Sequence, residues 1–154
     1  MKIVITSGIG KGRTKLSAFD NALFDAGIAN YNLIPLSSVI PKNSEIEIKK
    51  YSHSDEEYGY KLYVVLSYNI ETRRGKGCYA GLGWVQANDG RGLFVEHKGS
   101  SEEQVKTKIK RSLNDMVKYR EESLGKINFR IVGTKCVDKP VCALVCAIYK
   151  KEGW

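Results

Sequence analysis

Residues 100–150 read SSEEQVKTKIKRSLNDMVKYREESLGKINFRIVGTKCVDKPVCALVCAIYK, and the apolar period changes partway along them. Up to Gly125, the residues Val105, Ile109, Leu113, Met116 and Val117 recur at helical spacing, with the lysines mostly outside their stripe. Ser101 followed by Gln104 resembles a capping box, so the spacing predicts an amphipathic helix over 100–125. Beyond it, INFRIVGTKCV and PVCALVCAIYK predict two strands, and the second is apolar enough to lie centrally in a sheet.

Working back towards the N-terminus, RGLFVEHKG is a further short strand. GKGCYAGLGWVQA has Gly75, Gly77, Gly81 and Gly83, which in a strand mark bulges or a close backbone neighbour. GYKLYVVLSYNIETRR reads as a longer strand and SEIEIKKY as an edge strand. NYNLIPLSSVIP is a strand interrupted by Pro35 and Pro41, each pushing the residue before it towards extended geometry. In the N-terminal stretch, Leu16, Phe19, Leu23 and Ala26 form a second helical stripe, with Thr14 as its cap and Gly27 as its stop. Asp20 sits at the edge of that stripe, where a solvated helix flank explains it. KIVIT opens the chain as a strand, followed by the loop SGIGKGRT. Its glycines fit neither GxxxxGK[ST] nor GxGxxG, so a turn into the helix is read there and not a phosphate loop. Many strands and two helices make an α+β layered fold.

A chain of 154 residues suits one domain, 1–154, around one core. The N-terminus lacks the apolar core of a secretory signal, and VCALVCAI is far short of the roughly 20 apolar residues that span a bilayer, so no membrane association and a cytoplasmic location are expected. Cys78, Cys136, Cys142 and Cys146 show no CxxC pairing and read as buried thiols, and no metal site is expected. A net charge of +8 permits nucleic-acid binding, but the basic residues fall in separate elements with no aromatic interleaving, so no nucleic-acid partner is expected.

The adjacent hydroxyls of Ser37 and Ser38 lie between two short aliphatic runs. A polar turn accounts for them on pattern alone. They also permit a reaction: Ser38 Oγ can attack the Ser37 carbonyl carbon, converting that amide to an ester, and elimination then cuts the chain. Such a site needs a strained backbone and a donor for the oxyanion, and Asn32, five residues upstream, is a candidate donor.

AFDNALFDAGIANYNLIPLSSVIP resembles the pyruvoyl-dependent arginine decarboxylase family, whose pattern is AFD...A...AGI.N.NL...SS..P. The likeness continues in order through GLFVEHKG, the long charged helix and the final CA...A.YK strand. Lys42 stands where the family pattern has a second proline. The resemblance implies an αββα layered sandwich of the pyruvoyl-dependent histidine/arginine decarboxylase type. It implies cleavage between Ser37 and Ser38 into a β chain, 1–37, and an α chain, 38–154, that begins with a pyruvoyl group made from Ser38.

By the same resemblance the substrate is L-arginine and the products are agmatine and CO2, a step towards polyamines or acid resistance. The covalent pyruvoyl ketone does the work of pyridoxal phosphate. Glu96 matches the proton donor, and alternation puts it on one face with Phe94, where apolar company favours the neutral acid. His97 points to the opposite face. Asp20 matches the carboxylate that takes the guanidinium through paired hydrogen bonds. Asn32 matches an asparagine that acts in self-processing and substrate placement, and Ser37 is a further substrate contact. The family's sites lie between protomers of a trimer, sometimes paired into a hexamer, so a homo-oligomer is implied. Two alternatives stand beside this reading: a pyruvoyl enzyme acting on another amino acid, and a basic nucleic-acid-binding domain.

Overall fold

The computed structural model describes residues 1–120 and 123–154. The strands are β1 (Lys2–Lys11), β2 (Asn32–Pro35), β3 (Val39–Ile40), β4 (Glu45–Ile48), β5 (Lys61–Glu71), β6 (Gly77–Gln86), β7 (Gly92–Gly99), β8 (Asn128–Lys135) and β9 (Val141–Glu152). The helices are α1 (Lys15–Ala26) and α2 (Glu102–Lys118), with a 3-10 turn at Asp55–Glu57. The fold class is α+β.

The strands form two sheets, ordered β2-β5-β9-β1-β4 and β3-β7-β6-β8. β9 is central in the first, as its apolar sequence requires, because both of its faces are covered. Cys142, Leu144, Cys146 and Ile148 point towards α1, whereas Val145 and Ala147 point towards Leu82, Trp84 and Phe94 of the second sheet. Alternation therefore sorts one strand's residues into two cores. A third core, Val85, Leu93 and Val95 against Val105, Ile109 and Leu113, holds α2 on the outer face of the second sheet.

Glycines decide how closely each helix approaches. β1 continues through Gly8 and Gly10 to Lys11, where a loop after KIVIT was expected. A β-carbon added at Gly10 would lie 2.2 Å from both the Ala18 oxygen and the Ala22 nitrogen of α1, and one at Gly8 would lie 2.1 Å from the Ala22 oxygen. The helix backbone rests directly on the strand. At Gly83 it is a side chain of α2 that rests on the strand, since a β-carbon there would lie 2.1 Å from Ile109 Cγ2. Gly10→Ala is accordingly expected to destabilise the fold by about 3 kcal/mol, the upper end of ordinary overpacking, because the obstructing atoms are backbone. The midpoint of denaturant unfolding measures it.

The caps of α1 are those expected: Thr14 Oγ1 accepts from Ser17 N–H, and Gly27 adopts a left-handed φ of 81°. Its buried face differs. Ala18, Ala22, Leu23 and Ala26 are buried, while Leu16 is 76% exposed, because the glycine-lined strand admits only small side chains beneath the first turns. Helix α2 starts at the expected Ser101 cap and buries Val105, Ile109 and Leu113, but it ends at Lys118, short of Gly125. Glu121 and Glu122 of the expected span lie outside the described residues. Among the described residues no helix is long and apolar enough to cross a membrane. All four cysteines are free and buried.

Candidate active site at the serine pair

The serine pair lies where the chain passes from one sheet to the other. β2 runs parallel to β5 at the edge of the first sheet, with Pro35 opposite Val64, and Leu36 N–H donates to the Val64 carbonyl at 2.8 Å. Three residues later β3 pairs antiparallel with β7 at the edge of the second, Val39 opposite Leu93 and Ile40 opposite Gly92. Leu36 packs against the core between the sheets and Ile40 is fully buried in it, so Ser37 and Ser38 are held by apolar anchors on either side.

β7 brings Glu96 to this crossing. Ser38 Oγ–H donates to Glu96 Oε1 at 2.6 Å, the short distance typical of a hydroxyl on a carboxylate. Glu96 pairs across the strands with Leu82 and follows Phe94 by two residues, so it lies on the face turned towards the first sheet. It is exposed there and not enclosed by the apolar surroundings expected from its sequence context. His97 points the other way, as alternation requires: its Nε2 lies 2.8 Å from Ser112 Oγ of α2. Burial, and then the charge of Lys108, push the His97 imidazole down from its ordinary value.

Backbone hydrogen bonds fix the serine pair from both sides of the Ser37–Ser38 bond. Phe94 N–H donates to the Ser38 carbonyl at 2.8 Å. Val39 N–H donates to the Ser37 carbonyl at 2.8 Å, closing a three-residue turn centred on Ser38. That N–H is directed at the oxygen which would carry negative charge if Ser38 Oγ attacked the Ser37 carbon. The strain expected here is not of the left-handed kind. Asn43 is the one non-glycine with positive φ among the described residues, at 58°, in the turn beyond Lys42. Lys42 itself lies 3.8 Å from Asp89.

Two of the residues singled out from sequence stand apart from this crossing within one chain. Asn32 opens β2, and its carboxamide donates to the Gly59 carbonyl at 2.6 Å and not to the serine pair. Asp20 lies on α1, on the outer face of the first sheet, and its carboxylate makes no hydrogen bond or ion pair with any described residue. Leu16 and Phe24, one helical turn to either side of it, are 76% and 56% exposed.

One residue of the crossing was missed by sequence reasoning. Tyr149 Oη–H donates to the Val39 carbonyl at 3.0 Å, and its ring centroid lies 6.3 Å from that of Phe94. Its position at the end of an apolar strand gave no polar signal.

A model of the pyruvoyl-dependent arginine decarboxylase family matches residues 2–152. Proteins of that name are similar to this chain. That of Methanothermobacter thermautotrophicus is 38% identical over 119 residues, 77% of this chain and 74% of its own length. That of Thermococcus kodakarensis is 32% identical over 94% of this chain and 91% of its own. For the Pyrococcus furiosus protein the figures are 31%, 96% and 93%.

Proposed function

The chain belongs to the pyruvoyl-dependent arginine decarboxylase family, and on that premise we propose that it forms its own pyruvoyl group from Ser38 and with it converts L-arginine to agmatine and CO2. The observation that carries this reading is the 2.6 Å hydrogen bond from Ser38 Oγ to Glu96 Oε1, beside a Ser37 carbonyl already held by Val39 N–H. A nucleophile, a base and an oxyanion donor meet at one peptide bond. The basic nucleic-acid-binding reading has no comparable support.

The self-processing balances as follows. Ser38 Oγ gives its proton to Glu96 and bonds to the Ser37 carbonyl carbon; the Ser37–Ser38 C–N bond breaks, leaving an ester and the Ser38 amine, which takes up the proton. Loss of the Ser38 α-proton expels the Ser37 carboxylate and leaves a dehydroalanine. Water then releases ammonia and leaves a ketone. The products are residues 1–37, ending at Ser37, and residues 38–154, blocked at the front by the pyruvoyl group. The finer architecture we read as the αββα sandwich of the family, one domain that stays together after the cut because β1 and β2 of the smaller product pair with β4, β9 and β5 of the larger one.

The residues around Ser38 fit such a group. Phe94 N–H holds the Ser38 carbonyl, which survives processing as the amide beside the ketone. The ketone supplies an electron sink for the departure of CO2 from an α-amino acid. Glu96 is positioned to hold the proton that the α carbon must regain. Asn32, whose carboxamide is bonded to Gly59 within one chain, acts in processing and substrate placement at the site of a neighbouring copy in this reading, with Ser37 as a further contact.

Recognition of arginine requires a local anion, since a chain at +8 repels a cation at long range. Asp20 is that anion in this reading. Because it lies apart from Ser38 within one chain, it serves the site of a neighbouring copy, in a trimer or a pair of trimers. The exposed Leu16 and Phe24 beside it are the apolar surface that such an interface would cover. Asp20→Asn is expected to raise the KM for arginine tenfold to a hundredfold, about the effect of losing charged hydrogen bonds, and to leave the chain cut normally. Unchanged arginine kinetics would remove the guanidinium assignment. The overall reading is tested by intact-mass spectrometry of freshly purified protein. Two chains divided after Ser37, with the larger lacking a free amine, are expected, and a single uncut chain without decarboxylase activity would overturn it.

A further inference from the structure

Tyr149 occupies an irregular place in an otherwise regular strand. β9 pairs with β5 from Glu71↔Val141 to Val64↔Ile148 and resumes at Tyr63↔Lys150, so Tyr149 is the extra residue of a bulge. Bulges of this kind gather beside active sites, and alternation already puts Tyr149 with Val145 and Ala147 on the face turned to the second sheet. Here the side chain reaches across the gap between the sheets. Its ring packs on Phe94 of β7, and its hydroxyl reaches the carbonyl of Val39, the residue that follows Ser38. Glu96 is the charged group that faces it. Burial first, and then that carboxylate, push the Tyr149 phenol up, which keeps it a proton donor in the hydrogen bond to Val39.

β3 needs this support. It is two residues long, pairs with β7 on one side only, and forms the edge of its sheet. A strand that short holds its register weakly by pairing alone. Phe94 N–H to the Ser38 carbonyl and Tyr149 Oη–H to the Val39 carbonyl are successive clamps immediately downstream of the bond to be cut. Upstream of that bond, Leu36 N–H is held by the Val64 carbonyl of the first sheet, while Ser37 itself is exposed and its carbonyl accepts from Val39 N–H.

We infer that Tyr149 is a positioning residue of the self-processing site: by donating to the Val39 carbonyl from a bulge in the facing sheet, it holds β3 so that Ser38 Oγ stays on Glu96 and beside the Ser37 carbonyl. The clamp acts on the α-chain side of the cut, so it persists after cleavage and goes on fixing the residue that bears the ketone. This inference rests on the self-processing reading above.

The test follows chain cleavage by intact mass after synthesis, for the wild type and for Tyr149→Phe, which keeps the ring on Phe94 and removes only the hydroxyl. Cleavage of Tyr149→Phe is expected to be about tenfold slower, the effect of one well-placed hydrogen bond, with the thermal unfolding midpoint unchanged. Hydrogen exchange at Ile40 is expected to speed up, while that of the β6 amides is not.

A ring-fluorinated tyrosine at 149 keeps the side chain's size and so covers the case in which Tyr149→Phe folds poorly. Its more acidic phenol should slow cleavage as pH rises through its titration, because a phenolate cannot donate to Val39. A wild-type chain that stays whole would overturn the self-processing reading and this inference together. A wild type that is cut, with Tyr149→Phe cut equally fast or the fluorinated protein cut at a rate independent of phenol ionisation, would overturn the Tyr149 assignment alone.

Discussion

A Ser38→Ala chain is expected to remain whole and to have no arginine decarboxylase activity, the largest loss any single substitution here should cause. The change removes one oxygen, yet that oxygen is the nucleophile of the first step, the bridging atom of the ester and the leaving atom of the elimination. No neighbour replaces it. Ser37 Oγ belongs to the preceding residue and would have to attack a different peptide bond. The fold should be untouched, because the hydroxyl contributes only the bond to Glu96 on an exposed carboxylate. Intact mass should give one chain, and circular dichroism should match that of the processed protein. Two fragments from Ser38→Ala would show that cleavage does not use this hydroxyl.

Glu96→Gln is expected to lower kcat for arginine by about a hundredfold to ten-thousandfold, the range a positioned acid or base contributes. Glutamine keeps the shape and can still accept the Ser38 hydroxyl proton in a hydrogen bond, but it cannot take that proton or deliver one. Two steps should therefore suffer. Chain cleavage slows because Ser38 Oγ loses its base, and in chains that do become processed the return of a proton to the α carbon slows. Measuring kcat per mole of α chain separates the two. A processed Glu96→Gln protein with full kcat would remove the proton-donor role while leaving the processing role standing. Neither result depends on Asp20, which should act through KM.

The strands were legible because alternation and β-branched composition report local burial. INFRIVGTKCV and PVCALVCAIYK became β8 and β9, and in GKGCYAGLGWVQA Gly81 and Gly83 do mark a close neighbour, helix α2, and Gly77 the Ser100 backbone, whereas Gly75 has open space around it. The glycines after KIVIT were misread for a physical reason. Glycine weakens a strand on its own account, and its value in β1 arises only when α1 lies on it. Leu16 failed similarly: helical spacing identifies a stripe, but the glycine-floored groove admits the alanine side of α1 and leaves Leu16 outside.

Residue pattern was enough for the α+β class, the order of most strands and the start of both helices. It marked the serine pair and, through resemblance, Glu96, Asp20 and Asn32, because these features reside in local pattern and in residue type. Which groups meet is a matter of the packed fold. It put Glu96 on Ser38 across 58 positions of chain, brought the Tyr149 hydroxyl to the Val39 carbonyl, and left Asp20 on the far face of the first sheet and Asn32 bonded to Gly59. Hydrogen bonds and charge act over a few ångströms, and which residues come that close depends on how two sheets pack, which no local period encodes.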